Sequence, residues 1–216
     1  FAKKAAFSTE DIELVMFKAT YLAELRILEK KGKYERAIER IGEVVDGMEL
    51  NEGKFNKEQE LLFMNTIASV YFGAGEYKKS LHWLNRILND NEPNLRQDIY
   101  SYARLFNLVV HYELENYDLL EYIVKSTYRY LNKRQRDHEL EVMILNSMKK
   151  LARNAGSNDA NQILLEFKEG LNEQLKKDTD QIILEYFNFP AWIDSKLEGI
   201  EFVEALQRQN KETVKV

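Results

Sequence analysis

The sequence predicts an all-α chain built from stacked antiparallel helix hairpins. Three observations lead there: few turn formers, apolar residues at helical spacing along most of the chain, and a hairpin motif that recurs. Only nine Gly and two Pro stand among 216 residues. Folds made of strands need frequent turns, which favour Gly and Pro, so their scarcity argues for long uninterrupted helices.

The recurring motif appears in Lys31-Gly-Lys-Tyr-Glu-Arg-Ala-Ile38, Ala74-Gly-Glu-Tyr-Lys-Lys-Ser-Leu81 and Leu114-Glu-Asn-Tyr-Asp-Leu-Leu-Glu121. Its tyrosines, Tyr34, Tyr77 and Tyr117, are 43 and 40 residues apart. Each segment closes one helical pattern and opens another. Gly32 and Gly75 can take the left-handed conformation that ends a helix, and Asn116 is expected to do so in the third copy. The tyrosine then wedges between the two helices. Ala37 and Ser80 let those helices approach, whereas Leu120 predicts a splayed third hairpin.

At these positions the chain resembles the tetratricopeptide repeat. The middle copy fits best, through Ile67, Ala68, Tyr71, Gly75, Tyr77, Ser80, Leu84, Ile87 and Leu88. The first copy keeps Gly32, Tyr34, Ala37 and Ile41, and the third mainly Tyr117. The periods are longer than that family's 34 residues, and its proline is only approximated by Pro93. The resemblance covers about residues 17–130. It implies a right-handed α–α superhelix of stacked hairpins. Residues 1–135 then form three hairpins. Residues 136–216 add degenerate ones and a C-terminal capping helix in the same continuous solenoid.

Helix punctuation gives a map. Ser8 with Asp11 caps a first helix ending near Lys31, and a second runs from Tyr34 to about Asp46. Asn56 with Gln59 forms a capping box for a third, ending near Gly73. A fourth covers Tyr77 to Asn89. Pro93 and Asn94 open the fifth, which ends near Glu113, and the sixth spans Tyr117 to Leu131. Leu140 to Ala155 is helically spaced and stops at Gly156; Ser157 or Asn158 caps the next. A helix is expected from Lys177 to Phe187. A last one starts at Pro190 and is apolar along Phe189, Trp192, Ile193, Leu197, Ile200, Val203 and Leu206. That last helix is expected to cover the exposed end of the stack.

Composition excludes several chemistries. The chain has no Cys, so it forms no disulfide, thiolate metal site or cysteine nucleophile. A net charge of −5 gives no general attraction to nucleic acid or anionic lipid. No apolar run reaches membrane-spanning length. No signal peptide is legible, and a start at Phe1 reads as a piece of a longer protein.

His82, His111 and His138 lack a second histidine at helix-ligand spacing, and no phosphate-binding or nucleophile motif occurs. His138 reads as a helix-start residue among carboxylates. Thr9-Glu-Asp-Ile-Glu13 and Glu139-Leu-Glu141 read as acidic helix starts that complement the dipole. Lys133-Arg-Gln-Arg136 reads as a solvated loop.

The expected function is therefore a cytoplasmic, non-enzymatic scaffold with no cofactor and no metal. Its partner is a protein or peptide segment, with no nucleic acid and no membrane, and self-association stays open. In the family it resembles, the first helix of each hairpin lines the concave side. That carry-over gives Leu22, Arg26 and Glu29, then Asn65, Ser69 and Phe72, then Tyr102, Leu105, Val109 and Tyr112. Leu22, Ser69 and Leu105 do not reproduce the carboxylate clamp of some members. The other reading is the peptide-sensing part of a larger protein, such as a transcription regulator.

Overall fold

The computed structural model describes residues 9–90, 96–133, 139–177 and 179–213. The Ser8 cap, the Pro93–Asn94 helix start, His138 and the basic residues from Arg134 to Arg136 lie outside the described residues. Among those described there are ten α-helices and no strand. They are α1 (Thr9–Lys30), α2 (Tyr34–Leu50), α3 (Lys57–Gly73), α4 (Tyr77–Leu88), α5 (Gln97–Glu113), α6 (Tyr117–Lys133), α7 (Glu139–Arg153), α8 (Asp159–Gln174), α9 (Phe189–Glu198) and α10 (Phe202–Thr213). A 3-10 turn, Gln181–Glu185, precedes α9.

Each helix packs on the next in sequence from α1 to α10, and α1, α3, α5 and α7 also touch in succession. α1, α3, α5 and α7 therefore form one layer, and α2, α4 and α6 each pack against two of its members, an arrangement compatible with a helical repeat. The helix starts come from local chemistry. The Asn56 side chain accepts from Gln59 N at 2.9 Å, and the Gln59 side chain accepts from Asn56 N at 3.4 Å, which satisfies two of the orphan donors of α3.

The first three hairpin turns share one hydrogen-bond pattern. Gly32 N donates to Glu29 O and Lys33 N to Leu28 O; Gly75 N to Phe72 O and Glu76 N to Tyr71 O; Glu115 N to Tyr112 O and Asn116 N to His111 O. This is the Schellman arrangement, closed by a left-handed residue. Tyr34, Tyr77 and Tyr117 thus each open the second helix of a hairpin, at equivalent positions. In the third turn the left-handed residue is Glu115 (φ 58°) and not Asn116. The bond pattern fixes which position must turn, and Asn116 is one too late. Leu120 is fully buried, and α5–α6 pack no less closely than α1–α2, although Ala37 stands in the latter pair.

The C-terminal quarter departs from expectation. The stretch expected as a helix from Lys177 to Phe187 holds only the 3-10 turn. The helix expected to run on from Phe189 breaks at Gly199 (φ 65°) into α9 and α10, which pack on each other. At the turns joining α1–α2, α3–α4, α5–α6, α7–α8 and α9–α10, left-handed residues stand at 32, 75, 115, 156 and 199, spaced 43, 40, 41 and 43 apart, while Gly53 and Arg96 also have positive φ in the α2–α3 and α4–α5 connections. The turn at Gly199 keeps this spacing, but the α9–α10 pair is not simply a lid on the end of the helix stack. Residues 181–213 double back across the face of α5, α3 and α1. Trp192 meets Tyr112 and Phe167, Phe202 meets Phe72 and Tyr34, and Asn210 Nδ2 donates to Lys30 O at 2.7 Å.

Candidate ligand-binding face

The face of α1, α3 and α5 that receives this returning segment carries Asn65, Phe72, Tyr102 and Tyr112 of the expected partner-binding residues. Its floor is Phe72, Phe106, Tyr102 and Tyr112. Phe187 stacks on Phe106 at 4.3 Å between ring centroids and meets Phe72 edge-on at 4.9 Å. Phe202 completes the cluster, 5.2 Å from Phe72 and 5.8 Å from Phe187. Tyr186 stacks on Tyr102 at 4.7 Å. Phe187, Phe189 and Trp192 are almost wholly buried. Aromatic pairs in these offset and edge-on geometries add to the stability that their buried area gives.

Polar anchors fix the segment along its length. Arg96 donates to both Asp98 carboxylate oxygens and to Tyr186 Oη, which in turn donates to Asp98 at 2.7 Å; Arg96 also pairs with Glu58. Burial alone raises the Asp98 pKa, but the hydrogen bonds from Arg96 and Tyr186 outweigh it and hold the group at about 2. Arg96 adopts φ 52°, a strained backbone for a side chain of its kind, and these three partners keep it there. Further along, the Trp192 indole N–H donates to Glu113 at 2.6 Å and Lys196 Nζ pairs with the other Glu113 oxygen at 2.7 Å. Lys30 pairs with Glu185, and the Asn65 amide donates to the main-chain oxygen of Tyr186 at 3.3 Å.

Five expected site residues are therefore closed off. Asn65 and Ser69 are buried, and Phe72, Leu105 and Val109 are 1, 0 and 0% exposed. They do not form an open lining, because the chain's own residues lie on this face. Arg26, Glu29, Tyr102 and Tyr112, like Leu22, are half-buried. Ser69 Oγ donates to the Glu29 carboxylate, and burial pushes the Glu29 pKa up to about 7 against the opposing pull of Ser69, Arg26 and Lys30.

One part of the face stays open beside α5 and α7. A cavity of about 680 Å³ is lined by Asp98, Tyr102, Glu139, Leu140, Glu141, Lys177, Thr179, Asp180 and Ile182. Two of its carboxylates are already paired, Asp98 with Arg96 and Glu139 with Lys177. Lys177 Nζ bonds Glu139 at 2.6 Å. Among the described residues no group of three His, Asp or Glu is placed to hold a metal ion. No described helix is long and apolar enough to cross a membrane. His111 is buried, its Nδ1 3.1 Å from the Asn116 amide, and burial lowers its pKa; His82 lies edge-on to Trp83.

No family model, characterised protein or solved structure matches the chain. Sequence reasoning missed Trp192, Tyr186, Phe187 and Glu113 as occupants and anchors of this face. One signal was present. Leu61-Leu-Phe-Met-Asn-Thr-Ile-Ala-Ser-Val-Tyr-Phe-Gly73 carries apolar residues all round, and such a helix is covered on every side.

Proposed function

We propose that the chain is a non-enzymatic protein-interaction scaffold of the tetratricopeptide-repeat kind, coiled as a right-handed superhelix. In this reading it takes a basic, extended segment of a partner protein into the cavity beside α5 and α7. The observation that carries the reading is the way this face already holds polypeptide. The non-helical stretch around Tyr186 and Phe187 is gripped by stacking on Tyr102 and Phe106 and by the Asn65 amide on a main-chain oxygen. Main-chain bonding joined to side-chain pockets is how extended peptides are recognised.

The cavity continues that surface past Tyr102, and Asp180, on its rim beside the Arg96–Asp98 and Lys177–Glu139 pairs, suits a cationic side chain. Tyr102, Leu140 and Ile182 supply apolar contact for the stem of that side chain. The non-enzymatic reading is supported by the structural use of the polar groups here: Asp98 is held by Arg96 and Tyr186, and Glu139 by Lys177.

Selection of a random peptide library on the purified chain tests this. The expected result is enrichment of Lys- or Arg-containing sequences whose binding is lost in Asp180→Lys and Ile182→Asp. Failure to enrich any sequence, or undiminished binding to either variant, contradicts it.

A further inference from the structure

We propose that a second cavity, between the first hairpin turn and the start of α10, binds a free α-amino acid with an apolar side chain. This cavity measures about 420 Å³, a size suited to a small ligand, and shares no residue with the one beside α5 and α7. Gly32, Gly73, Ala74 and Val203 give it apolar walls. Tyr34 lines it as well, and the hydroxyl-bearing end of its ring lies at Gly73.

The hydroxyl of Tyr34 calls for an acceptor. Tyr34 is 5% exposed, and its hydroxyl has no hydrogen-bond partner among the described residues. The second hairpin shows what belongs there. Its tyrosine, Tyr77, faces the carboxylate of Glu113, the last residue of α5, and that side chain is 7% exposed. The equivalent last residue of α3 is Gly73. No side chain fits at that position, because a Cβ there would fall 2.1 Å from Tyr34 Cζ. The first hairpin thus lacks the carboxylate that the second carries. Burial and the nearby Glu29 carboxylate raise the Tyr34 pKa, so the hydroxyl keeps its proton and acts as a donor.

Two further observations select the ligand. The first turn of α2 also lines the cavity, and its N-cap residue, Lys33, makes no side-chain cap. The first N–H groups of α2 are therefore left for an outside acceptor, and a carboxylate suits them and the Tyr34 hydroxyl alike. The charges at the cavity are balanced: Lys33 and Arg36 stand with Glu35 and Glu201, all exposed, and none of the four forms an ion pair among the described residues. A simple anion meets as much repulsion as attraction in such a setting. A zwitterion meets attraction at both ends, with its carboxylate at the start of α2 and its ammonium group at Glu201. The walls of Ala74 and Val203 then receive an apolar side chain.

Isothermal titration of the 216-residue chain with leucine tests the site. Leucine is expected to bind with a Kd of about 1 mM or tighter, and leucinamide, which lacks the carboxylate, roughly tenfold more weakly. Tyr34→Phe should weaken leucine roughly tenfold and leave the melting temperature unchanged or raised, because no partner within the chain loses a bond. Glu201 is exposed, so Glu201→Gln keeps the fold; it should lower the affinity for leucine to that for 4-methylpentanoate, the same molecule without its amino group. The proposal is overturned if leucine, valine and phenylalanine all fail to bind. It is overturned equally by leucinamide binding as tightly as leucine, or by undiminished leucine binding in Tyr34→Phe or Glu201→Gln.

Discussion

The ring of Tyr34 fills the space that a side chain at position 73 would need: a Cβ built on Gly73 falls 2.1 Å from Tyr34 Cζ. Tyr34 is the repeat tyrosine of the first hairpin and Gly73 the last residue of α3, so this contact sets the distance between successive hairpins. Gly73→Ala should destabilise the chain by about 1–3 kcal/mol through overpacking. That sign opposes the usual helix-interior gain. Gly42→Ala, in α2 with nothing within 4 Å of the added methyl, should stabilise by about 0.5–1 kcal/mol. Urea melts of both variants check the pair; a stabilised Gly73→Ala protein refutes the contact.

Trp192 is fully buried and its indole N–H is held by Glu113. Trp192→Ala should cost about 3–5 kcal/mol, as truncation of a core aromatic does. Trp192→Phe keeps a ring but leaves the nearly buried Glu113 with Lys196 as its remaining α9 partner, at a cost of about 1–3 kcal/mol. Equal, small losses in both variants would place α9 outside the core.

Glu29 gives the pH dependence a sign. Its folded pKa, about 7, lies above the ordinary 4.5, so the folded state binds this proton more tightly than the unfolded state does. Stability from this group is complete below pH 4.5 and falls as pH rises through 7, by on the order of 3 kcal/mol in total. His111 works in the opposite direction below its usual pKa, since burial lowers it. Comparison with Glu29→Gln cancels that effect. The Gln variant should match the native chain at pH 4 and exceed it in stability at pH 8. Parallel stability curves across that range would exclude a raised Glu29 pKa.

The first six helices were legible because Gly or Asn followed by Tyr marks each hairpin turn and Asn56 with Gln59 marks the start of α3. The sequence assigned residues from Leu22 to Tyr112 to one side of the first helix of each hairpin, but it could not say what covers them. The contacts that do so join residues far apart in the chain, such as Lys30 with Glu185 and Phe72 with Phe202, and leave no periodic trace. The run from Phe189 to Leu206 keeps helical spacing through Gly199, so apolar pattern alone reads it as one helix. The left-handed break is visible only through the 43-residue step from Gly156 to Gly199. Between Lys177 and Phe187, the burial of Ile183, Tyr186 and Phe187 against α3 and α5 overrides a weak helical tendency.

Removing residues 179–213 should uncover Phe72, Phe106, Tyr102 and Tyr112 together. An exposed aromatic surface of that extent promotes association, so light scattering of the truncated chain should show aggregates at concentrations where the full chain stays dispersed. A dispersed, fully helical truncated protein would mean that the segment is dispensable to the array.

The central claim is that the chain's own last hairpin fills the face of α1, α3 and α5, and hydrogen exchange followed by mass spectrometry tests it most directly. Amides of α9 and the first turns of α10 should exchange as slowly as those of α3 and α5 and lose protection with them in one cooperative step. Rapid exchange across Phe189–Leu206 while α3 and α5 remain protected would contradict the account.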